Sequence, residues 1–337
     1  MQIYNKICIP ANNFTFFVFF LAQFRKKQYF CSMNVFGDKW SFTSFGESHG
    51  LAIGGVLDGV PAGLHIDLAM IHEELLRRKG VTDDGVLVTG VSPRAKNEPD
   101  EVEWLSGVMD GVTLGTPIAF IIRNKDARPE DYEWLKTTYR VGHADKVYEQ
   151  KYGIRDWRGG GRASARETAS RVVAGGIAKQ ELLKREIEIK AELVQVGAET
   201  NPAKFAEVIA AYRKDGDSIG GIVECRIKGL PVGTGEPIFD KLQAHLAFAV
   251  MSINACKGFE YGTGFEGVVK PGSEINAISG GIAGGISDGT EIVFRCVFKP
   301  TPSTPKAGVK GRHDACVAVR AVPVVEAMTA LSLVQFL

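Results

Sequence analysis

The sequence has no C-x-x-C pair and no dense cysteine framework: Cys8, Cys31, Cys225, Cys256, Cys296 and Cys316 are scattered over 337 residues. That spacing disfavours a zinc site and a disulfide scaffold, and it fits reduced cytosolic thiols. Net charge is also lacking. Lys and Arg total 40 against 39 Asp and Glu, so no global field holds nucleic acid or an anionic membrane, and any anion site must be local. Long apolar runs are missing as well. The aromatic stretch from Phe14 to Ala22 covers about nine residues, whereas a membrane span needs roughly 20. What is abundant is glycine, 39 residues against a usual share of roughly 7%, which marks tight turns and close backbone approaches.

Residues 1–32 differ in character from the rest and are expected to form an extension outside the fold, either spurious translation upstream of Met33 or a presequence. From Phe42 to Asp67 strand-like stretches are broken by glycines, and Leu68 to Lys79 then carries apolar residues at helical spacing. Pro117 to Asn124, Ile187 to Val196, Ile222 to Ile227 and Glu291 to Phe298 alternate as strands, the last placing Ile292, Phe294, Cys296 and Phe298 on one face. The stretch Gly59-Val-Pro61-Ala-Gly63 matches Gly229-Leu-Pro231-Val-Gly233, each between a strand and an amphipathic helix, which suggests two related halves. No linker divides residues 33–337, so the pattern predicts one intertwined α+β domain of stacked sheet and helix layers.

The charge asymmetry is concentrated between Arg140 and Arg171, where eight basic residues face four acidic ones. Within it Arg158-Gly-Gly-Gly161-Arg162 runs into Ser164-Ala-Arg166-Glu167, an S-x-x-E signature for a helix start. Glycine backbone amides, a helix N-terminus and flanking guanidinium groups together predict an anion cradle; the plainer alternative is a glycine turn beside a solvated basic face. The stretch is neither a P-loop nor a G-x-G-x-x-G fingerprint. Three further polar clusters sit among glycines: Glu47-Ser48-His49, His143-Ala-Asp145 and Arg312-His313-Asp314. Taken singly each histidine has an ordinary structural explanation, yet imidazole is the natural proton carrier near neutral pH. Ser48, His49 and Asp314 do not make a hydrolase triad, because Ser48 lacks the G-x-S-x-G elbow and its adjacency to His49 gives poor geometry.

Taken together, Phe45-Gly-Glu-Ser-His49-Gly, Asp58-Gly-Val-Pro-Ala-Gly63, Gly142-His-Ala-Asp145, Tyr152 through Thr168, Met251-Ser-Ile-Asn-Ala255, Gly280 through Ser287, Lys299-Pro-Thr-Pro-Ser303 and Gly311-Arg-His-Asp314 through Met328 resemble the chorismate synthase family, in the family's order, over essentially all of Met33 to Leu333. The resemblance implies a β-α-β layered fold, a cytoplasmic homotetramer, no nucleic-acid or membrane partner, and a lyase of the shikimate pathway. That enzyme turns 5-enolpyruvylshikimate 3-phosphate into chorismate and phosphate by 1,4-anti elimination, using reduced FMN, with NADPH as a candidate flavin reductant.

By the same resemblance the catalytic residues are His143 by the leaving phosphate, His49 protonating reduced flavin near N1, and Asp314 assisting removal of the ring hydrogen. Flavin contacts carry over onto Arg162, Ala163, Ser164, Asn254, Ala255, Gly284, Lys299, Pro300, Thr301, Pro302, Ser303 and Arg312, and substrate or NADP contacts onto Ser48, Arg77, Arg78 and Arg166. No metal is implied. The chain departs from the family pattern at Gly80 to Gly85, in shorter loops near 276–280 and 304–310, and at Ala315. The runner-up reading is an NADPH- and flavin-dependent reductase of a small anion.

Overall fold

The computed structural model describes residues 34–80, 91–92, 94, 97–275, 279–309 and 313–337. The extension at 1–32, the departure at 81–85 and Arg312 lie outside the described residues. The first half contains β1 (Val35–Phe36), β2 (Ser41–Gly46), β3 (Ala52–Asp58), helix α1 (Leu68–Lys79), β4 (Val102–Ser106), the small hairpin β5 (Val108–Met109) and β6 (Val112–Thr113), and β7 (Ile118–Arg123). These strands form one antiparallel sheet in the order β1-β2-β3-β7-β4 beside the hairpin. A connecting stretch carries a 3-10 helix (Pro129–Lys136), α2 (Asp145–Tyr152), two 3-10 turns and α3 (Thr168–Lys184).

The second half repeats the plan. It contains β8 (Glu188–Val196), α4 (Phe205–Lys214), β9 (Gly221–Lys228), α5 (Leu242–Met251), β10 (Cys256–Tyr261), the single turn α6 (Gly272–Ile275), hairpin β11 (Ile282–Ala283) and β12 (Ile286–Ser287), β13 (Ile292–Phe298) and a closing helix α7 (Ala318–Leu333). Its sheet order β8-β9-β13-β10 is the order β2-β3-β7-β4 over again, with a hairpin inserted at the same place. The two five-residue stretches noticed in the sequence occupy equivalent corners. A methyl group on Gly59 would stand 1.9 Å from the Lys39 carbonyl oxygen, and one on Gly229 2.0 Å from that of Glu186, so each corner admits only glycine, at φ +83° and +77°.

The strands expected from alternation are found to within two residues, because each has one face to bury. Ile292, Phe294, Cys296 and Phe298 are all at most 1% exposed, opposite Val223, Cys225 and Ile227 of β9. Helices α1, α3, α5 and α7 pack on one another between the two sheets, α3 reaching β3 and α7 reaching β8 and β9. Asp67 caps α1 by accepting from Ala69 and Met70 N–H, and Gly80 closes it in the left-handed conformation.

The helix layer also encloses charge. Glu326 of α7 accepts from Arg77 (2.8 Å), from Lys179 of α3 (2.7 Å) and from the Ala191 backbone N–H (2.8 Å), while Glu74 bonds both Arg77 and Lys179. Arg77 is thereby turned into the helix layer. Its neighbour Arg78 points elsewhere because successive helical residues diverge by about 100°.

Candidate active site

At one end of the sandwich the β2–β3 turn, the C-terminal end of β13, the segments leading into β4 and β10, and the N-termini of α3 and α7 enclose a cavity of about 430 Å³. Equivalent corners of both halves therefore supply its walls, and different side chains from each half make it chemically one-sided.

Asn124 shapes the β2–β3 turn by donating to the Glu47 and Gly50 carbonyls (3.0 and 2.9 Å). That turn delivers Ser48 and His49, which are 2% and 5% exposed. The Arg128 backbone N–H donates to His49 Nδ1 (3.0 Å), so Nδ1 is the acceptor and Nε2 is the nitrogen left for a proton. Tyr132 packs edge-on against the ring, centroids 4.7 Å apart. Arg94 donates to Ser48 Oγ (3.0 Å) and to the Ser48 carbonyl (2.6 Å), and lies 3.1 Å from His49 Nε2.

The triple glycine explains how two imidazoles share this wall. With φ of +63°, +88° and +51°, Gly159, Gly160 and Gly161 leave no room for a Cβ: one would reach His49 Cδ2 (2.4 Å), the next His143 Cε1 (2.6 Å), the third Glu47 Oε2 (2.6 Å). The expected anion cradle is corrected accordingly. The glycines serve the close approach of His49 and His143, and Arg158 and Arg162 turn away from the cavity, Arg158 to Asp156 and Arg162 to Ser44 and the Gly46 carbonyl. Of the S-x-x-E signature one half forms: Ser164 Oγ accepts from the Arg166 N–H. Glu167 is claimed by Arg171 and does not cap, so α3 proper begins at Thr168.

The positive charge of the cavity comes mainly from outside that stretch. Arg78, Arg94, Arg140, Arg166, Arg320 and Lys299 line it against the carboxylates Glu98, Asp100 and Asp314, a surplus of three cations. Arg78 is 1% exposed and bonds Thr168 Oγ1 (3.0 Å) and the Ala165 carbonyl (2.9 Å). Burial, with Arg320 and Arg166 nearby, pushes its guanidinium down to about 9, leaving it a cation at neutral pH. Burial would raise Asp100, but Arg166 and Arg78 hold it net below the usual carboxylate range. Asp314 accepts from the Ser92 N–H and from Arg320, both at 2.8 Å. Burial and Lys257 lower Lys299.

Ser48, His49, Arg78, His143, Ala163, Ser164, Arg166, Asn254, Ala255, Lys299, Thr301, Pro302, Ser303 and Asp314 thus share one cavity. Arg77, Arg162, Gly284 and Pro300 are not among the residues lining it, Gly284 lying in the β11–β12 turn. Sequence reasoning missed Arg94, Arg140 and Arg320 as cavity residues. Arg140 and Arg320 had a signal, each standing close in sequence to a histidine or aspartate cluster; Arg94 had none. Asn254 Oδ1 and Ser303 Oγ are shielded from solvent and have no hydrogen-bond partner among the described residues. Buried polar atoms of this kind mark places where a ligand supplies the missing partner. Among the described residues no group of three or more His, Cys, Asp and Glu could hold a metal ion, and no helix is long and apolar enough to cross a membrane.

Fold and cavity together define a β-α-β sandwich protein whose cavity is lined by cations and imidazoles. The chorismate synthase family model matches residues 40–337. The chorismate synthases of Christiangramia forsetii and Phocaeicola vulgatus are 46% and 45% identical to this chain, over 90% of it and 97% of each relative. A chorismate synthase crystal structure superposes with a TM-score of 0.71 at 30% identity, covering 89% of this chain and 92% of that one. The chain belongs to the chorismate synthase family, and it is a lyase of the shikimate pathway.

Proposed function

We propose that the cavity converts 5-enolpyruvylshikimate 3-phosphate into chorismate and phosphate by 1,4-anti elimination, with reduced FMN bound beside the substrate. The observation that carries this reading is the convergence of six cations and the imidazoles of His49, His143 and His313 on one cavity whose wall also holds Asn254 Oδ1 and Ser303 Oγ, unpartnered among the described residues. The substrate brings a phosphate and two carboxylates, and buried guanidinium groups are the strong, oriented partners for such groups. Fixed cations around a developing phosphate anion are the largest kind of catalytic contribution in such a site.

The orphaned atoms fit a heterocycle with donor and acceptor edges, and Ala163, Ser164, Asn254, Ala255, Lys299 and Thr301 to Ser303 would hold the flavin. When bound, reduced flavin supplies an electron-rich ring that lends charge to a weakly acidic C–H and recovers it. His143 hands a proton to the departing phosphate. His49, with Nδ1 occupied by the Arg128 N–H, holds its proton at Nε2. Asp314, oriented by Ser92 and Arg320, serves the ring hydrogen. A homotetramer and NADPH as flavin reductant belong to the same proposal.

The test is anaerobic: the chain, enolpyruvylshikimate phosphate and dithionite-reduced FMN should yield chorismate absorbance and free phosphate in equal amounts. Absence of product, or NADPH consumed mole for mole with substrate, would sink the reading. His143→Ala and His49→Ala are each expected to lower kcat by about 100-fold or more, the scale of lost acid–base catalysis.

A further inference from the structure

An imidazole that carries a proton must present the correct nitrogen, and the groups behind the His143 ring decide which one that is. His143 Nδ1 lies 2.8 Å from Asp145 Oδ1. Asp145, the first residue of α2, is 3% exposed. Among the described residues, Arg140 holds its carboxylate from the other side. The Arg140 backbone N–H and Nε both converge on Oδ2 (3.1 and 2.9 Å), and Nη2 bonds Oδ1 (2.8 Å). Arg140 Nη2 also stands 3.2 Å from His143 Nδ1. That guanidinium nitrogen cannot accept, so among the described groups next to Nδ1 the acceptor for its proton is Asp145 Oδ1. The Cε1–Nε2 edge of the ring passes Gly160, where a Cβ would come 2.6 Å from Cε1 and 3.0 Å from Nε2, and His143 itself lines the cavity.

We infer that Asp145 is a positioning residue for the elimination: its buried carboxylate keeps the proton of neutral His143 on Nδ1 and so presents Nε2 to the departing group. The inference rests on the proposed role of His143 as proton carrier. For the forward step the ring enters as the imidazolium, with one proton on Nδ1 facing Asp145 and a second on Nε2. The Nε2 proton passes to a phosphate oxygen while the C–O bond breaks and its electron pair leaves with phosphate, which returns the ring to its neutral Nδ1–H form. The ring keeps its Nδ1 proton throughout. Arg140 prevents Asp145 from taking that proton itself. Burial would raise the carboxyl, yet the bonds from Arg140 and His143 hold it far below the usual carboxylate range.

Asp145→Asn separates this role from simple packing, because the amide is isosteric. Two Arg140 donors meet at the Oδ2 position, so the amide oxygen settles there and its NH2 faces His143 Nδ1. Nδ1 must then accept, and the ring proton moves to Nε2. The variant is expected to lose kcat by about 100- to 10,000-fold, as when a buried aspartate behind a catalytic histidine becomes asparagine, with KM near wild type.

Three readouts decide it. In 15N-histidine spectra neutral His143 should show Nδ1–H in the wild-type enzyme and Nε2–H in the variant; an Nε2–H ring in wild type overturns the inference even if the variant fails to fold. Asp145→Asn placed on His143→Ala should cost nothing further, since Asp145 acts through the ring, and an added loss would mark a structural role instead. If Asp145→Asn keeps wild-type kcat while His143→Ala loses it, Asp145 is excluded and the reading of His143 stands. Full activity in His143→Ala would overturn both.

Discussion

At the scale of single residues, the cavity depends on which atoms are left without partners inside the fold. Asn254 donates through Nδ2 to the Ala163 carbonyl (3.1 Å), so its amide orientation is set and Oδ1 is left without a hydrogen-bond partner among the described residues. Ser303 Oγ is in the same condition. Removing a hydroxyl that bonds nothing among the described residues should leave stability unchanged, while removing a bond to a ligand costs about 0.5–1.5 kcal/mol. Ser303→Ala is therefore expected to keep the wild-type melting temperature and to weaken flavin binding by roughly two- to tenfold, read by titrating flavin absorbance. A drop in melting temperature with unchanged flavin affinity would instead make Ser303 a structural residue.

At the scale of elements, the two halves share a corner device beyond their common strand order. Thr113 accepts the Leu64 N–H (2.9 Å) and donates to the Pro61 carbonyl (2.6 Å). Ser287 does the same for the Thr234 N–H (2.9 Å) and the Pro231 carbonyl (2.5 Å). Each hydroxyl ties the strand-to-helix corner to the small hairpin, and both are 2% exposed. Deleting either leaves a buried N–H unpaired, so Thr113→Val and Ser287→Ala should each destabilise the fold by about 1–3 kcal/mol, to a similar extent. Urea unfolding measures both. A large cost at one corner and none at the other would show that the corners are alike in geometry but not in energy.

At the scale of the whole molecule, the ion cluster of Glu74, Arg77, Lys179 and Glu326 joins α1, α3 and α7, the helices between the sheets. Replacing Glu326 leaves Arg77 and Lys179 sharing the single carboxylate of Glu74, one cation in excess inside the helix layer, a loss of up to about 3–5 kcal/mol. Glu326→Gln is expected to show it at pH 7. Burial alone would raise the Glu326 carboxyl, but the Arg77 hydrogen bonds and the Lys179 charge bring it net below its ordinary value. A depressed carboxyl contributes stability that is complete above the unfolded value of about 4.3 and disappears as pH falls through the folded one. The difference between wild type and Glu326→Gln in urea should therefore shrink as the pH is lowered below about 4. A constant difference down to pH 3 would assign the loss to packing and not to charge.

Much of this was legible before any coordinates. Two-residue alternation had to yield sheets, because strands such as Ile292–Phe298 have one face to bury, and the glycine–proline corners at 59–63 and 229–233 marked the repeat because each of Gly59 and Gly229 crowds a backbone carbonyl. The ensemble of short motifs carried the family, and with it His49, His143 and Asp314. Folding alone decided which charges meet: Arg77 and Arg78 are neighbours in the chain but serve the helix layer and the cavity, and Arg158 and Arg162 turn away while Arg94 and Arg320 turn in. Composition and local pattern govern which face of an element is apolar. The direction of a long guanidinium arm depends on partners brought from distant parts of the chain, and those partners exist only once the two halves have closed.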